Sequence, residues 1–188
     1  MMQILRHGDY KCMPWKNGLG VTEEVMAHPP GSDLASFGWR LSIAHVGADG
    51  PFSLFAGIDR TIALLDGDGL LLDLPDRTIE LDRKGEPFAF SGDLQISSRN
   101  KGGPTIDLNI MTRRSQFSHQ MRRIRLEEIE IVHPSSILLF NGAASLSYRQ
   151  GTIALERFDA FLADPEDGPL HLTPDIDVLL IEVTAPQR

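Results

Sequence analysis

Apolar residues in this chain come in short runs broken by glycine, proline and aspartate, and several runs alternate strictly with polar residues. From Trp39 to Val46, the residues Trp39, Leu41 and Ile43 share one face, and Arg40, Ser42 and Ala44 share the other. Thr105–Thr112 alternates in the same way, with Ile106, Leu108 and Ile110 against Asp107, Asn109 and Met111. Arg77–Leu81, Ile137–Phe140 and Asp177–Val183 read as further strands, and Leu126–Val132 is read as strand too. Thr61–Leu65 and Leu70–Leu74 flank Asp66-Gly67-Asp68-Gly69, a hairpin signal. No segment carries a long helical period, so the pattern predicts an all-β protein.

The pattern also repeats. Leu65-Asp66-Gly67 returns as Phe140-Asn141-Gly142, 140 − 65 = 75 residues later, and Thr78–Arg83 returns as Thr152–Arg157, 152 − 78 = 74 residues later. Two copies of one strand-turn-strand unit predict two similar β-barrels, and the antiparallel double-stranded jelly roll fits the spacing. The boundary is expected between Ser115 and Glu130, giving units 1–118 and 119–188. In such a barrel one face of each strand looks into the lumen. If Arg40, Ser42, Asp107 and Asn109 face inward, they build a polar pocket; if outward, they are ordinary solvated residues. Alternation does not choose between the two.

The chain has 188 residues and a formal charge of −8, from 18 basic and 26 acidic side chains. That balance argues against nucleic acid, which needs a basic footprint. The one basic cluster, Arg113-Arg114 with Arg122, Arg123 and Arg125, is followed at once by Glu127, Glu128 and Glu130 and reads as a self-compensating solvated segment. The single cysteine, Cys12, allows no internal disulfide. No signal-like start and no membrane-length apolar run is present, so a soluble cytoplasmic protein is expected, without a membrane partner.

Candidate chemistry begins at Met13-Pro14-Trp15-Lys16-Asn17-Gly18-Leu19-Gly20. Proline and glycine shape the loop; Trp15 offers an apolar wall, Lys16 a charge and Asn17 an amide. The plainer reading is a tight surface turn with Trp15 plugged into the core. Arg40 is the best carboxylate clamp, because guanidinium binds a carboxylate in a two-pronged way. Its plainer reading is neutralisation by Asp107, and that of Arg60 is a surface pair with Asp59. The histidines, His7, His28, His45, His119, His133 and His171, include no pair spaced as metal ligands on one strand, so no metal and no cofactor is expected. No nucleophile elbow and no phosphate-cradling glycine loop occurs.

Pro14-Trp15-Lys16-Asn17-Gly18 with Gly20, Trp39-Arg40-Leu41-Ser42-Ile43-Ala44, Asp49-Gly50-Pro51-Phe52-Ser53 with Phe55, Gly57, Asp59 and Arg60, and Asp107–Arg113 follow one another in order. With these motifs the chain resembles the HutD/Ves family. The resemblance implies a bicupin whose second barrel is degenerate, a pocket in the first barrel, and an association with histidine utilisation. Trp15, Lys16, Asn17, Arg40, Ser42, Arg60, Asp107 and Asn109 stand at the motif positions and are the expected ligand-binding residues. Leu19 departs from the glycine usual there, which is expected to narrow the loop.

Three functions follow as expectations. The first is a non-catalytic binder of a small anionic pathway intermediate such as N-formylglutamate or urocanate. The second is a metal-free isomerase or hydrolase with Asp107 as base and Lys16 or Arg40 as electrostatic stabiliser. The third is a partner-binding module that uses the second barrel. A homodimer is the assembly considered.

Overall fold

The computed structural model describes residues 3–124, 128–131, 133, 136–173 and 175–185. Its strands are β1 Gln3–Leu5, β2 Lys11–Pro14, β3 Gly20–His28, β4 Trp39–Val46, β5 Gly50–Pro51, β6 Ile58–Asp66, β7 Leu70–Asp73, β8 Thr78–Leu81, β9 Phe88–Ser91, β10 Ser97–Asn100, β11 Thr105–Arg113, β12 Ser118–Ile124, β13 Glu128–Ile129, β14 Ser136–Phe140, β15 Ala144–Tyr148, β16 Gly151–Leu155, β17 Ala160–Ala163, β18 Leu170–Leu172 and β19 Val178–Thr184. Only two short 3₁₀ turns, His7–Asp9 and Pro165–Asp167, interrupt them among the described residues. Within the stretch read as strand at Leu126–Val132, Glu128–Ile129 is strand, and Leu126, Glu127 and Val132 lie outside the described residues, as does Arg125 of the basic cluster. No described helix is long and apolar enough to cross a membrane.

The strands divide into two units. Lys11–Ser118 builds a six-stranded sheet, β2-β3-β4-β11-β6-β9, and a four-stranded sheet, β5-β10-β7-β8. His119–Thr184, with the N-terminal residues through Tyr10, builds β1-β17-β14-β19-β12 and β13-β18-β15-β16. The run β9-β6-β11-β4 of the first unit matches β17-β14-β19-β12 of the second, and β8-β7-β10-β5 matches β16-β15-β18-β13. Each unit is therefore one jelly roll, and the sequence repeat marks equivalent strands of the two. Asp66–Gly69 does not close a hairpin. β6 and β7 lie in different sheets, so the turn is a corner from one layer to the other. Gly67, at φ +109°, makes this corner where a β-carbon would sit 2.7 Å from the Thr105 methyl.

The units differ inside. The second is filled by Leu138, Phe140, Leu146, Leu155, Phe161, Val178 and Leu180, all buried apolar side chains. In the first, Ile62, Leu64, Leu70, Leu72, Leu81 and Phe90 fill only the part of the interior beside β6 to β9. The wall formed by β3, β4 and β11 carries polar groups.

A division at residue 118 by sequence order assigns residues 1–10 to the first unit, whereas in the structure β1 pairs antiparallel with β17 of the second. Asp159 holds this edge. Its carboxylate accepts hydrogen bonds from Arg6 Nη1 at 2.6 Å, His7 N at 2.9 Å and Glu156 N at 2.9 Å. Burial raises its pKa, but these donors outweigh burial and hold the carboxyl below its usual range. The added stability is present above the unfolded-chain pKa and is lost as pH falls through the depressed folded value. Asp159→Ala is expected to cost about 2–4 kcal/mol in denaturant unfolding. Hydrogen exchange should show β1 losing protection first; unchanged β1 protection would refute this role.

Candidate functional site

Cross-strand partners in an antiparallel sheet project to the same face. The ladder of the six-stranded sheet therefore lines up Glu24, Ser42, Asn109 and Ile62 in one row, and Arg40, Met111, Arg60 and Phe90 in the next. Ala44, Asp107 and Leu64 form a third row. Ile62, Leu64 and Phe90 pack with Leu70, Leu72 and Leu81 of the four-stranded sheet, so this face looks into the barrel. Arg40, Ser42, Arg60, Asp107 and Asn109 are all buried on it. The alternation that sequence left open resolves inward.

Glu24 joins them through a backbone irregularity. Glu24 pairs with Ser42 and Met26 with Leu41, so Val25 is an extra residue in β3. Such a bulge lets Glu24 face the lumen while Met26 faces the other way. Glu24 Oε2 accepts from Arg40 Nε at 2.8 Å, and Arg40 Nη1 reaches Ser42 Oγ at 3.4 Å. The neutraliser of Arg40 is thus Glu24 and not Asp107. Glu24, next to Glu23 in sequence, reads as an ordinary surface residue. No sequence signal announces the bulge that turns it inward.

Arg60 is held differently. Its guanidinium carbon lies 5.0 Å from the ring centroids of Phe52 and Phe90 and 5.6 Å from that of Phe55. Nη1 reaches the Ser53 carbonyl at 3.4 Å. Asp59 does not pair with Arg60; it accepts from Arg114 instead, at 2.9 Å. Among the described residues no ion pair forms between Arg60 and Asp107 and no hydrogen bond reaches the Asp107 carboxyl. Burial pushes Asp107 up to about 7, although the Arg60 charge pulls the other way. Burial likewise lowers Arg60 to about 10, partly offset by Asp107. Desolvation outweighs their attraction in both groups, as expected where two charges share a dry wall without contact. Arg60 Nε and Asn109 Oδ1 are buried with no hydrogen-bond partner among the described residues.

The opening loop is a tight turn between β2 and β3. Trp15 N donates to Gly20 O at 2.9 Å, Gly18 N to Trp15 O at 3.0 Å, and Leu19 N to Asn17 Oδ1 at 3.1 Å. Trp15 is half-buried, and its indole donates to Thr22 Oγ1 at 2.8 Å. The ring lies so close over Gly20 that a β-carbon there would meet it at 2.8 Å. Lys16 and Asn17 are exposed and share no hydrogen bond or ion pair with the inward cluster among the described residues. The positive φ of the turn falls on Gly18, so the Leu19 side chain adds no backbone strain. Leu19 instead lines a groove of about 540 Å³ with Gly20, His45, Asp66, Thr105 and Ile106, apart from the buried charges.

No group of three or more His, Cys, Asp or Glu side chains among the described residues is placed to hold a metal ion. The inward set can instead present one guanidinium free of carboxylate pairing, one paired guanidinium, a carboxyl that is neutral in mild acid, and amide and hydroxyl groups.

The HutD family model matches residues 7–180. The chain belongs to the HutD family. It is 34% identical, over 97% of both chains, to a 21.2 kDa protein of the hutC 3′ region of Pseudomonas putida. Over 63% of both chains it is 36% identical to the protein Ves of Citrobacter koseri. The solved structure of HutD from Pseudomonas fluorescens SBW25, in a formate condition, superposes with a TM-score of 0.83 at 32% identity over the full length of both chains. A cupin barrel protein from Leptotrichia buccalis, 10% identical over 93% of this chain and 96% of its own, shares the fold at a TM-score of 0.57. The all-β cupin architecture expected from the HutD resemblance is the one observed.

The buried Asp107 makes stability depend on pH. Between pH 3.8 and about 7 the folded protein keeps a proton that the unfolded chain has released, so this group's contribution to stability falls as pH rises across that window. Asp107→Asn stays neutral and removes the slope. The variant is expected to be more stable than the parent by about 2–4 kcal/mol at pH 8 and within about 1 kcal/mol of it at pH 4. Urea unfolding at both pH values checks this; equal differences at the two would contradict it.

Proposed function

We propose that the protein binds a small carboxylate inside its N-terminal barrel and that this guest is an anionic intermediate of histidine utilisation, with N-formylglutamate and urocanate as the candidates. The observation that carries the reading is the buried polar wall: Arg60 and Asp107 are buried without a contact ion pair, and Arg60 Nε and Asn109 Oδ1 lack hydrogen-bond partners among the described residues. Buried polar groups left unpaired are costly, and a bound guest or ordered water supplies what the chain does not. A carboxylate fits best, because Arg60 offers donors and charge while a protonated Asp107 can donate to it. On the equivalent face of the C-terminal barrel, Leu138, Phe140, Val178 and Leu180 are apolar, and Ser136 and Glu182 are the buried polar groups in line with them among the described residues. The relatives' names place them at histidine-utilisation loci, and that locus supplies the ligand candidates. Arg40, Ser42, Arg60, Asp107 and Asn109 are the proposed contacts, with Trp15 beside them on the same face; Lys16 and Asn17 stand at the exposed turn and are proposed to meet the guest only as it enters.

A catalytic reading is favoured by one feature, the Asp107 carboxyl, which titrates near the pH where a general base works. No partner acid stands within hydrogen-bonding reach of it among the described residues, so binding without turnover is the preferred reading.

Unfolding is to be followed with N-formylglutamate, urocanate, glutamate and formate. A ligand at one hundred times its Kd should add about 2.7 kcal/mol. Arg60→Gln should abolish the shift while remaining folded. No stabilisation by any of the four at millimolar concentration would sink the proposal. Mass spectrometry of N-formylglutamate and urocanate after prolonged incubation separates binder from enzyme.

A further inference from the structure

Arg40 and Arg60, the two inward guanidiniums, are not equivalent. Arg40 spends Nε on Glu24 at 2.8 Å, and the two side chains form a pair on the lumen wall. Arg60 has no carboxylate within ion-pair distance among the described residues and is wrapped by three phenylalanine rings. The barrel therefore holds one unneutralised cation, enough to anchor one carboxylate of a guest. Glu24 is an odd neighbour for an anion site. A wall built only to attract negative charge would not bend β3 to bring a carboxylate inward, as the extra residue at Val25 does. Only Oε2 of Glu24 is used; Oε1 accepts no hydrogen bond among the described residues, and the side chain keeps 19% of its surface open. An ionised carboxylate oxygen with no donor seeks an N–H or O–H.

The two groups stand on strands separated by β4 and β11, three spacings of roughly 4.8 Å at the backbone, and share the inward face. A guest that meets both groups bridges what the two side chains leave of that gap. Charge and geometry together define its two ends: a carboxylate facing Arg60 and a hydrogen-bond donor facing Glu24.

We infer that Glu24 is a specificity-determining residue of this site, selecting guests that carry an amide or imidazole N–H in addition to the carboxylate that Arg60 anchors. This inference rests on the carboxylate-binding reading above and narrows it. A dicarboxylate lacking an N–H can offer Glu24 only a second anion, whereas N-formylglutamate, also a dicarboxylate, can place its amide N–H there with its second carboxylate directed away. Sites built to hydrogen-bond a donor reject analogues that lack it more strongly than apolar pockets reject an extra methyl group.

The test uses the full chain and two probes, N-formylglutamate and N-formyl-N-methylglutamate, which have the same charges and differ in the N–H. Titration calorimetry gives a preference ratio, the Kd of the methylated probe over that of the parent. The wild type is expected to show a ratio of about ten or more, as for a charge-assisted hydrogen bond. In Glu24→Leu the ratio should fall to near one, and in Glu24→Gln, which keeps the shape and a weaker acceptor, to an intermediate value. Should Glu24→Leu not fold because Arg40 is left unpaired, a drop of about threefold or more in Glu24→Gln supports the assignment. A ratio unchanged in the variants means that the methyl group is excluded sterically, and a wild-type ratio near one means that the N–H is not read; either result overturns the inference and leaves carboxylate binding standing. Binding of neither probe, nor of urocanate, overturns the carboxylate reading itself and the inference with it.

Discussion

A guanidinium and a carboxyl held out of water on one wall of a barrel, near enough to feel each other but not joined, set the terms for the rest of this molecule. Arg60 and Asp107 both respond to burial more than to one another. Such groups are tolerated only where the surroundings are fixed. Phe52, Phe55 and Phe90 supply a cage for Arg60. The paired β4, β6 and β11 keep the wall in register. The apolar cluster on the other side of the lumen provides the stability that a half-polar interior forgoes.

The duplication puts this arrangement in relief. Both halves of the chain weave their strands in the same order, yet one interior centres on a large cluster of leucine, valine and phenylalanine and the other gathers Arg40, Arg60 and Asp107 on one wall. An apolar interior stabilises at about 25 cal/mol per Å² buried and asks nothing of a ligand. The other barrel instead keeps Arg40, Arg60, Asp107 and Asn109 buried on its inward face.

Within the first barrel, the buried charges differ in their partners. Glu24 and Arg40 form an ion pair through Oε2, leaving Arg60 as the cation without a contact anion. The exposed turn at Lys16 and Asn17 contributes its shape mainly through the backbone, with Trp15 lying across Gly20. The conspicuous motif at the start of the chain is thus chiefly a scaffold for Trp15, and the less conspicuous positions on β4, β6 and β11 carry the buried chemistry.

Alternating residues at Trp39–Val46 and Thr105–Thr112, and two repeats at offsets of 75 and 74, were enough to read strands, all-β class and duplication, because period-two patterning and turn residues are local properties. The candidate positions Arg40, Ser42, Arg60, Asp107 and Asn109 were legible as polar residues on strand faces. Their direction was not, because alternation has the same period whichever side is buried, and only the opposing sheet decides. Three further matters were settled by contacts distant in sequence: Glu24 turned inward by one extra residue in β3, β1 carried to the edge of β17, and the Asp66–Gly69 turn made a corner between layers. Each depends on hydrogen bonds to a strand elsewhere in the chain, and such pairing leaves no mark on the residues that it redirects.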